Sequence, residues 1–349
     1  MKRKIFLSGG GTLGSVTPLL ALYDILREKY RCFWIGSFNG IEKRLIKSDA
    51  LTYLAIPSGK LRRYFSFRNI FEPFFIFAGF IFSLVYLIIH RPMATVVSGS
   101  FISVPLVWAG WLLRIPIVVH QEDINIGLAA RLTVPFATAV TTAFQKTLQG
   151  IKNKNKQWIG NPVRNIFFFA NGAAARVKWK SSELPLVLVL GGGLGSQKIN
   201  DAIVGIAHRL ADSCQIIHIV GRSKTDLPRT ANYRQMEFLG DELAEMMSAA
   251  DLIVSRAGLS TLSEIAAAGK PSILIPLASV GQTANALYFA ERGAAILLKE
   301  KNIGGLEEKI LDILSDKEQR DKIVANVKAI FPPNAAEKLS FLVDKICAR

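Results

Sequence analysis

Short apolar runs alternate in the first half of this chain with longer stretches in which apolar residues recur at helical spacing. The short runs cover residues 5–8, 32–35, 94–98 and 115–120. The stretch 18–29, which follows the first run, has the spacing of a helix. Strands that alternate with helices are typical of parallel βαβ units. The first half is therefore predicted to be a parallel α/β domain.

The second half repeats this order. Its predicted strands cover residues 186–190, 216–220, 252–254 and 272–275. Its predicted helices cover residues 200–211 and 259–268. Because each half opens with a strand, a glycine turn and a helix, we predict an α/β fold of two doubly wound, Rossmann-like domains. Ligands of such sheets bind at the carboxyl ends of the strands, so a central cleft between the domains is the predicted site.

The domain boundary is predicted near Asn161-Pro162, where the lysine-rich turn 152–156 ends. A second boundary is predicted at Pro332-Pro333, which precedes a last helical stretch. That helix is expected to pack back toward the N-terminal domain. The predicted N-terminal domain, C-terminal domain and terminal helix are residues 1–161, 162–331 and 332–349.

The longest apolar segment covers residues 70–89 and begins near a cluster of cations. Glu72 and Pro73 interrupt its start, and the clean part, 74–89, would be roughly 24 Å long as a helix. That is short for a membrane span, which needs about 20 residues. The cations upstream are Lys60, Arg62, Arg63 and Arg68. This combination favours a helix lying in the lipid headgroup region, with a buried core helix and a true span as the alternatives.

The charge of the chain supports an anionic partner. There are 349 residues, with 43 Lys and Arg against 27 Asp and Glu, and the formal net charge is +16. Since no zinc-finger spacing or RNP-like motif is present, we expect an anionic membrane surface and no nucleic acid. Three cysteines without a CxxC pair fit a reducing compartment, and the first apolar run is too short for a signal peptide. We therefore expect a peripheral protein on the cytoplasmic face of the cell membrane.

One glycine run follows the first strand of each half, at residues 9–14 in the first half and 191–195 in the second. Backbone N–H groups in such turns can approach a phosphate at the start of a helix. No Lys-Ser/Thr pair follows either run, which argues against a Walker NTPase. The next strands end in Gly36-Ser37 and Gly221-Arg222, without the acid that a nicotinamide dinucleotide would need. The pair of turns indicates two phosphate-bearing ligands.

Longer motifs give the sequence a specific resemblance that covers most of the chain. They are GGTLGSVTP (10–18), SFISVP (100–105), IPIVVHQED (115–123), GNPVR (160–164), LGGGLGSQKIN (190–200), SRAGLSTLSEIAAAGKP (255–271) and QTANA (282–286). With these motifs the chain resembles the MurG family, the UDP-N-acetylglucosamine:undecaprenyl-pyrophosphoryl-muramoyl-pentapeptide N-acetylglucosaminyltransferases of peptidoglycan synthesis. The resemblance implies a GT-B fold and inverting transfer to an undecaprenyl-linked acceptor, with no cofactor and no metal.

The resemblance also implies roles for single residues. Gly193 and its neighbours would bind the diphosphate of UDP-N-acetylglucosamine, and Arg164 would add a fixed cation. Glu264 would bind the ribose hydroxyls, and the backbone of Leu239 would contact uracil. The other implied substrate contacts are Gln282 and Asn285 at the sugar, Leu259, Ser260, Thr261, Leu262 and Ser263 at the nucleoside, and Thr12, Leu13 and Gly14 in the acceptor domain. Ser260 and Thr261 are further expected to cap their helix.

The residue expected to be the general base departs from the family pattern. The family has a histidine where this chain has Ser15, and a serine hydroxyl is a poor base. The family's His-Glu-Gln-Asn corresponds here to His120-Gln121-Glu122-Asp123. We favour Asp123 as the replacement base, with Glu122 as the alternative. Sequence drift at a position that only shapes the cleft is the third explanation.

Three functions therefore remain open. The first is transfer of N-acetylglucosamine to the lipid-linked muramoyl-pentapeptide. The second is a related membrane glycosyltransferase with another lipid acceptor, such as a diacylglycerol, because the donor motifs would be the same. The third is a non-catalytic lipid-binding subunit, which the missing histidine favours and the retained donor motifs oppose.

Overall fold

The chain folds into two compact units, which we describe from a computed structural model. The described residues are 2–46, 51–59, 71–179, 181–192, 195–221, 232–278 and 281–348. One unit comprises Met1–Arg164 together with Pro332–Arg349, and the other comprises Asn165–Phe331. The end of the chain thus belongs to the same unit as its beginning.

Parallel strands form the centre of each unit. In chain order they are β1 (Lys4–Ser8), β2 (Arg31–Ser37), β3 (Thr52–Ile56), β4 (Ala94–Ser98), β5 (Ile117–Gln121), β6 (Ala139–Thr142), β7 (Lys156–Trp158), β8 (Leu186–Leu190), β9 (Gln215–Ile219), β10 (Tyr233–Met236), β11 (Leu252–Ser255), β12 (Ser272–Leu274) and β13 (Ile296–Leu297). The first sheet has the order β3-β2-β1-β4-β5-β6-β7, and the second has β10-β9-β8-β11-β12-β13.

Helices connect these strands. They are α1 (Thr17–Leu26), α2 (Glu42–Leu45), α3 (Glu72–His90), α4 (Ser103–Leu112), α5 (Leu128–Thr133), α6 (Ile166–Phe169), α7 (Gly172–Lys178), α8 (Gln197–Ile206), α9 (Glu242–Ala249), α10 (Leu259–Ala268), α11 (Gln282–Ala290), α12 (Leu306–Ser315), α13 (Lys317–Ile330) and α14 (Ala335–Cys347). Short 3₁₀ turns lie at Val134–Phe136, Gln145–Gly150 and Glu300–Gly305.

The direction of strand order reverses once in each sheet, between β1 and β4 and between β8 and β11. A crevice opens at such a switch point because the connections leave the two neighbouring strands toward opposite faces of the sheet. The glycine run 9–14 follows β1, and the run 191–195 follows β8. Both runs therefore lie at the switch point of their sheet.

Alternate residues of the first strand enter two cores, which is the pattern of a sheet covered on both faces. Ile5 and Leu7 belong to one core and Phe6 to the other. Helix α14 packs against α1 and contributes Leu339 and Val343 to the core that contains Ile5. The predicted terminal helix is thus part of the N-terminal unit.

Helix α3 is apolar but largely exposed. It is the one helix of the described residues that is long and apolar enough to cross a membrane, and 17% of its apolar window is buried. Its buried side is narrow and contains Glu72, Gly79, Ser83 and Leu87. This exposure argues against a helix buried in the core, which was one alternative from the sequence. The upstream cations at positions 60–68 lie outside the described residues.

Candidate functional site

The loop after β1 is held in shape by the hydroxyl of Ser15. Ser15 Oγ donates to Gly10 O (2.8 Å) and accepts the Gly10 N–H (3.1 Å). Ser15 is 5% exposed, so its side chain faces its own loop. The residue that replaces the family histidine therefore stabilises the turn.

Serine hydroxyls from the end of β4 and the start of α4 tie the same loop to the sheet. Ser98 Oγ donates to Ser15 O, and Ser100 Oγ donates to Gly10 O at 2.9 Å. Ser103 Oγ donates to Ser8 O at 3.0 Å. These bonds cross the switch point, since β1 and β4 are its two strands. The side chains that make these hydrogen bonds across the switch point are therefore neutral.

Glu42 occupies one of the backbone amides that the sequence offered to a phosphate, the amide of Gly11. This carboxylate is fully buried, and its Oε2 accepts the Gly11 N–H at 3.0 Å. Its Oε1 accepts the backbone N–H (2.9 Å) and the hydroxyl (2.6 Å) of Ser37. With Gly10 N–H bonded to Ser15, neither glycine amide points to a phosphate. The first glycine run therefore differs from the expected phosphate loop.

The other predicted residues of this loop lie nearer the surface. Thr12 is exposed, while Leu13 and Gly14 are half-buried. Leu13 O accepts the N–H groups of Val16 (3.0 Å) and Thr17 (3.1 Å), which starts helix α1. These residues are placed where a ligand at the carboxyl end of β1 could meet them.

Two carboxylates follow β5, and their surroundings differ. Glu122 Oε1 is shielded from solvent and has no hydrogen-bond partner in the described part of the chain. Burial, and then the charge of Asp123, raise the pKa of Glu122 well above its usual value, while a hydrogen bond with Ser98 acts in the opposite direction. Asp123 is exposed. Through Ser98, Glu122 is connected to the loop that contains Ser15.

His120 links β5 to the motif that ends in Arg164. Its Nε2 lies 3.0 Å from Asn161 Oδ1, and its Nδ1 lies 2.9 Å from Thr141 Oγ1. Since Asn161 Oδ1 only accepts, Nε2 carries a proton. Burial lowers the pKa of His120 to about 4, against the opposing hydrogen bond to Asn161. His120 thus supports the segment 160–164, which ends in the half-buried Arg164.

The second switch point has a glycine turn that ends in a helix cap. Gly195 has φ +81°, and a Cβ there would lie 2.4 Å from Val220 O, so a side chain would not fit. Ser196 Oγ accepts the N–H of Ile199 and caps α8. The helix therefore begins at Gln197, three residues earlier than the predicted 200–211. Gly193, the predicted diphosphate contact, lies outside the described residues.

A buried arginine joins the two strands of this second switch point. Arg256, which follows β11, donates through Nε (3.1 Å) and Nη2 (2.7 Å) to Ser196 Oγ. Its Nη1 donates to Ile275 O (3.0 Å) and to Glu300 Oε2 (2.6 Å). Glu300 also pairs with Lys198. The cap of α8 is thus fixed by a guanidinium, and the pair Arg256–Glu300 is mostly buried.

Helix α10 begins with backbone caps, which corrects the expectation that Ser260 and Thr261 cap it. Gly258 is the N-cap residue and makes no side-chain cap bond, so Ser260 and Thr261 already lie inside the first turn. Ser260 Oγ is buried and, among the described residues, has no hydrogen-bond partner. Ser263 Oγ donates to Leu259 O at 2.8 Å.

The remaining predicted donor residues divide into core and surface positions. Leu259 and Leu262 are buried core residues, and Glu264 is half-buried on the same helix. Leu239 is buried in the loop between β10 and α9, and Asn285 is buried on α11. Gln282 starts α11, and its Oε1 accepts the Leu277 N–H at 3.2 Å.

Gln282 also connects the starts of two helices. A Cβ built on Gly258 would lie 3.8 Å from Gln282 Nε2, so α11 begins beside the N-terminus of α10. The structure therefore brings together Ser196, Arg256, Gly258 and Gln282 at the carboxyl edge of the second sheet. Sequence reasoning missed Arg256, Ser196 and Glu300, although Arg256 lies inside a quoted motif. It also missed Glu42, for which a lone acid gives no signal.

Within the described ranges, no group of three or more His, Cys, Asp or Glu side chains is placed to hold a metal ion.

Two family models and several solved structures match this chain. The glycosyltransferase family 28 N-terminal domain matches residues 5–142, and the family 28 C-terminal domain matches residues 186–339. The structure of Acinetobacter baumannii MurG superposes with a TM-score of 0.76 at 23% identity, over 98% of this chain and 99% of that one. The calicheamicin glycosyltransferase CalG4 superposes with a TM-score of 0.74 at 13% identity, over 100% and 99% of the two chains.

Curated relatives match at higher identity. The UDP-N-acetylglucosamine–N-acetylmuramyl-(pentapeptide) pyrophosphoryl-undecaprenol N-acetylglucosamine transferase of Clostridium novyi is 35% identical over 99% of both chains. The enzyme of the same name from Clostridium botulinum strain Alaska E43 is 39% identical over 90% of this chain and 91% of the relative.

Two parallel sheets, each with a glycine turn at its switch point, form a GT-B fold, and the family 28 domains make the protein a glycosyltransferase. Within that class, the chain belongs to glycosyltransferase family 28 and, in it, to the MurG family. The predicted fold class and the predicted enzyme class are both confirmed.

Proposed function

We propose that this glycosyltransferase transfers N-acetylglucosamine from UDP-N-acetylglucosamine to an undecaprenyl-pyrophosphoryl muramoyl-pentapeptide in peptidoglycan synthesis. The observation that carries the proposal is the match to relatives named for this reaction, which extends over nearly the whole chain. The arrangement at the second switch point supports it, because a capped helix start beside a buried cation suits a diphosphate.

The donor site is proposed at the start of α8 and α10. The diphosphate would lie against the glycine turn that includes Gly193, with Arg164 as a second source of positive charge. Glu264 would accept hydrogen bonds from the ribose, the backbone of Leu239 would contact uracil, and Gln282 and Asn285 would bind the sugar. The reaction needs the leaving diphosphate to be stabilised as its bond to the anomeric carbon breaks.

The family resemblance alone assigned Ser260 to the nucleoside, and the surroundings of its hydroxyl supply a physical reason for that contact. Its buried hydroxyl lies in the first turn of α10 and has no partner among the described residues. A buried polar group without a partner costs free energy, which a bound ligand recovers. We therefore place the Ser260 hydroxyl against the nucleoside of the donor.

The proton of the acceptor hydroxyl is proposed to pass to Glu122. In the inverting step the acceptor oxygen attacks the anomeric carbon, the bond to UDP breaks, and the hydroxyl proton must reach a base. A raised carboxylate pKa makes a stronger base, and the pKa of Glu122 is raised by burial and by Asp123. We thus favour Glu122 as the base and give Asp123 the role of adjusting its pKa, which reverses the order inferred from the sequence.

Attachment to a membrane surface is proposed through α3 and the adjoining α4. Residues exposed there include Phe74, Phe77, Ile88 and Ile89 on α3 and Trp111 on α4. Arg91 ends α3 with φ 48°, and Arg114 follows α4 with φ 57°. Glycine is the usual residue in this left-handed conformation, so an arginine there is strained and needs another benefit. A cation beside an apolar surface provides that benefit at an anionic membrane.

The transfer assay uses UDP-N-acetylglucosamine and a short-chain analogue of the lipid-linked muramoyl-pentapeptide, with product mass as the readout. We expect one added N-acetylglucosamine. Glu264→Ala should raise the KM for the donor, at a cost of about 1–3 kcal/mol in kcat/KM, because a charged hydrogen-bond partner is lost. The exposed Glu308 on α12 gives the matched control, Glu308→Ala. Absence of transfer in the wild type would contradict the proposed acceptor.

The membrane proposal is tested by vesicle sedimentation with anionic lipid. Replacing Phe74, Phe75 and Phe77 by serine should release the protein while UDP binding remains. The double variant Arg91→Gly, Arg114→Gly should be more stable to urea, because the backbone strain is removed, and yet bind vesicles more weakly. Vesicle binding that survives both sets of changes would contradict this attachment.

A further inference from the structure

A cationic cavity lies at the opposite edge of the N-terminal sheet from the glycine loop. It has a volume of about 370 Å³ and is lined by Lys2, Tyr23, Arg27, Tyr30, Arg31 and Cys32. Lys2 precedes β1, and Arg31 and Cys32 begin β2, so the cavity opens at the amino ends of these strands. The carboxyl ends, where the substrates are proposed, are on the other side of the sheet.

The lining carries three positive charges and, among its described residues, no carboxylate. Lys2 Nζ donates to Arg27 O at 3.0 Å, which brings the ammonium beside α1. Asp344 is adjacent through Tyr30, but it is paired with Lys29 Nζ at 2.8 Å. Lys2, Arg27 and Arg31 line one cavity without a carboxylate among them, so their charges repel one another unless an anion joins them.

The other lining groups are neutral hydrogen-bonding groups. Burial raises the pKa of the Cys32 thiol to about 12, although Lys2 acts against the rise. Burial and the bond to Asp344 also raise the pKa of Tyr30. The positive charge of Lys2, Arg27 and Arg31 is therefore not cancelled by ionised neighbours in the lining.

Tyr23 supplies a second, independent indication of a ligand. The residue is 5% exposed, and its hydroxyl is buried without a hydrogen-bond partner among the described residues. Buried hydroxyls are normally paired, and a phenol is a good donor to an anionic oxygen. A donor of this kind beside three cations matches the needs of a phosphate group.

We propose that this cavity binds a phosphate-bearing anion, with Arg27, Arg31 and Lys2 as the charges and Tyr23 as a hydroxyl donor. Guanidinium groups bind phosphate oxygens in a bidentate manner, which suits the two arginines. The phosphate could belong to a soluble ester or to a lipid headgroup. The second source is within reach because the end of α3 lies at the same edge. The ring of His90 on α3 lies 4.6 Å from the Phe33 ring, and the Arg31 guanidinium lies 5.3 Å from the same ring.

The test compares two double variants that lose the same charge from the same unit. Arg27→Gln, Arg31→Gln removes two cations of the cavity. Lys152→Gln, Lys154→Gln removes two exposed cations elsewhere and is the control. Thermal unfolding is measured with inorganic phosphate against sodium chloride at equal ionic strength, with excess UDP in every sample to fill a donor site.

Phosphate should raise the Tm of the wild type and of the lysine control, and the rise should be lost in the arginine variant. Tyr23→Phe should have a higher Tm than the wild type without phosphate, because the unpaired hydroxyl is gone, and a smaller phosphate-dependent rise. A packing role for Tyr23 alone would not produce both effects. The comparison between the variants does not depend on UDP binding, so its failure is distinct from a failure of the proposed transferase function.

Vesicles distinguish the two sources of phosphate. If a lipid headgroup is the ligand, the arginine variant should bind phosphatidylglycerol vesicles at least tenfold more weakly than the lysine control, and inorganic phosphate should compete. If a soluble ester is the ligand, both variants should bind these vesicles equally while only the arginine variant loses the phosphate-dependent rise in Tm. Equal responses of both variants to phosphate and to vesicles would overturn the proposal.

Discussion

The two switch points share one topology but have opposite electrostatics. In the N-terminal unit the loop after β1 is tied to β4 by serine hydroxyls, and a buried carboxylate, Glu42, accepts its Gly11 amide. In the C-terminal unit the turn after β8 is tied to β11 by the guanidinium of Arg256. The buried carboxylate of the first crevice disfavours a further anion, whereas in the second crevice Arg256 and Lys198 share the single carboxylate of Glu300 and leave a net positive charge.

This difference separates the roles of two similar glycine runs. The second run keeps a helix start beside a positive charge, which suits the diphosphate of the donor. The first run has already used the amides of Gly10 and Gly11 within the protein. We infer that the first loop shapes a surface for the acceptor hydroxyl, with Glu122 beside it, and that phosphate recognition belongs to the second.

The largest expected effect is at Arg256. Arg256→Ala leaves Glu300 and Ser196 without their shared partner, and breaking a buried ion pair costs about 3–5 kcal/mol. The loss should appear in the hydrogen-exchange protection of β8 and β11, together with a raised KM for the donor. Lys198→Gln is the control, since Lys198 pairs with the same Glu300 but is 69% exposed, and it should cost less than 1 kcal/mol. Equal losses of stability in Arg256→Ala and Lys198→Gln would contradict the role given to Arg256 at the second switch point.

The next effect is on catalysis at the first switch point. Glu122→Gln should lower kcat by about 10²-fold or more, the usual scale for loss of a general base. The amide is nearly isosteric, so the fold and the donor KM should remain. Asp123→Asn should keep kcat within about tenfold, because the change removes only a neighbouring charge.

Asp123→Asn should also move the acidic limb of the pH–rate profile to lower pH, since the charge of Asp123 raises the pKa of Glu122. The reverse pattern, with a large loss in Asp123→Asn and none in Glu122→Gln, would make Asp123 the base. Full turnover in both variants would place the base on another residue or on the substrate.

A smaller effect is expected at the buried histidine that each of the two units contains. His120 and His218 are buried, and burial lowers the pKa of each to about 4. His218 lies between Tyr233 Oη and Asn200 Oδ1, both at 3.0 Å, which parallels the neutral ring of His120. The unfolded histidine takes up a proton near its ordinary pKa of 6.5, whereas the folded one does not.

Stability should therefore be constant above that pKa and fall as the pH drops from about 6.5 toward 4. At pH 5 the expected loss is about 2 kcal/mol for each histidine. Urea unfolding at pH 7 and pH 5 measures it in wild type, His120→Gln and His218→Gln. Each variant should show a flatter pH dependence in its own unit. An unchanged pH dependence would mean that other groups cause the loss.

Sequence periodicity located the inner strands except β6, and it failed at the outer strands β3, β7, β10 and β13. Strands 94–98 and 186–190 are buried on both faces and are rich in β-branched or apolar residues, and both were predicted to the residue. β7 and β10 lie at sheet edges and contain mostly polar or charged residues, so no apolar run marks them. The predicted helix 18–29 ends at Leu26, because spacing alone does not mark where hydrogen bonding stops.

The site was less accessible to sequence reasoning than the fold. Motifs indicated which residues meet near the second glycine turn, but not that Arg256 crosses the switch point to Ser196. The difference between Asp123 and Glu122 could not be read from residue type, because both are carboxylates and it is their burial that differs. Glu42 is five residues past the end of β2 and looks like any surface acid until its burial is known.

The smallest expected effect, at Ser15, tests whether the first loop is a scaffold or a catalyst. Ser15→Ala leaves the buried Gly10 N–H without its acceptor, so the N-terminal unit should lose about 1 kcal/mol of stability. The control is Thr95→Val on β4. The buried Thr95 hydroxyl has no partner among the described residues, so its loss should be neutral or stabilising. Because Ser15 is 5% exposed, an imidazole does not fit the turn, and Ser15→His should lower kcat. In the family pattern, a histidine at this position is the expected base. A gain in kcat in Ser15→His combined with Asp123→Asn would favour that interpretation and would make the first loop a site of catalysis.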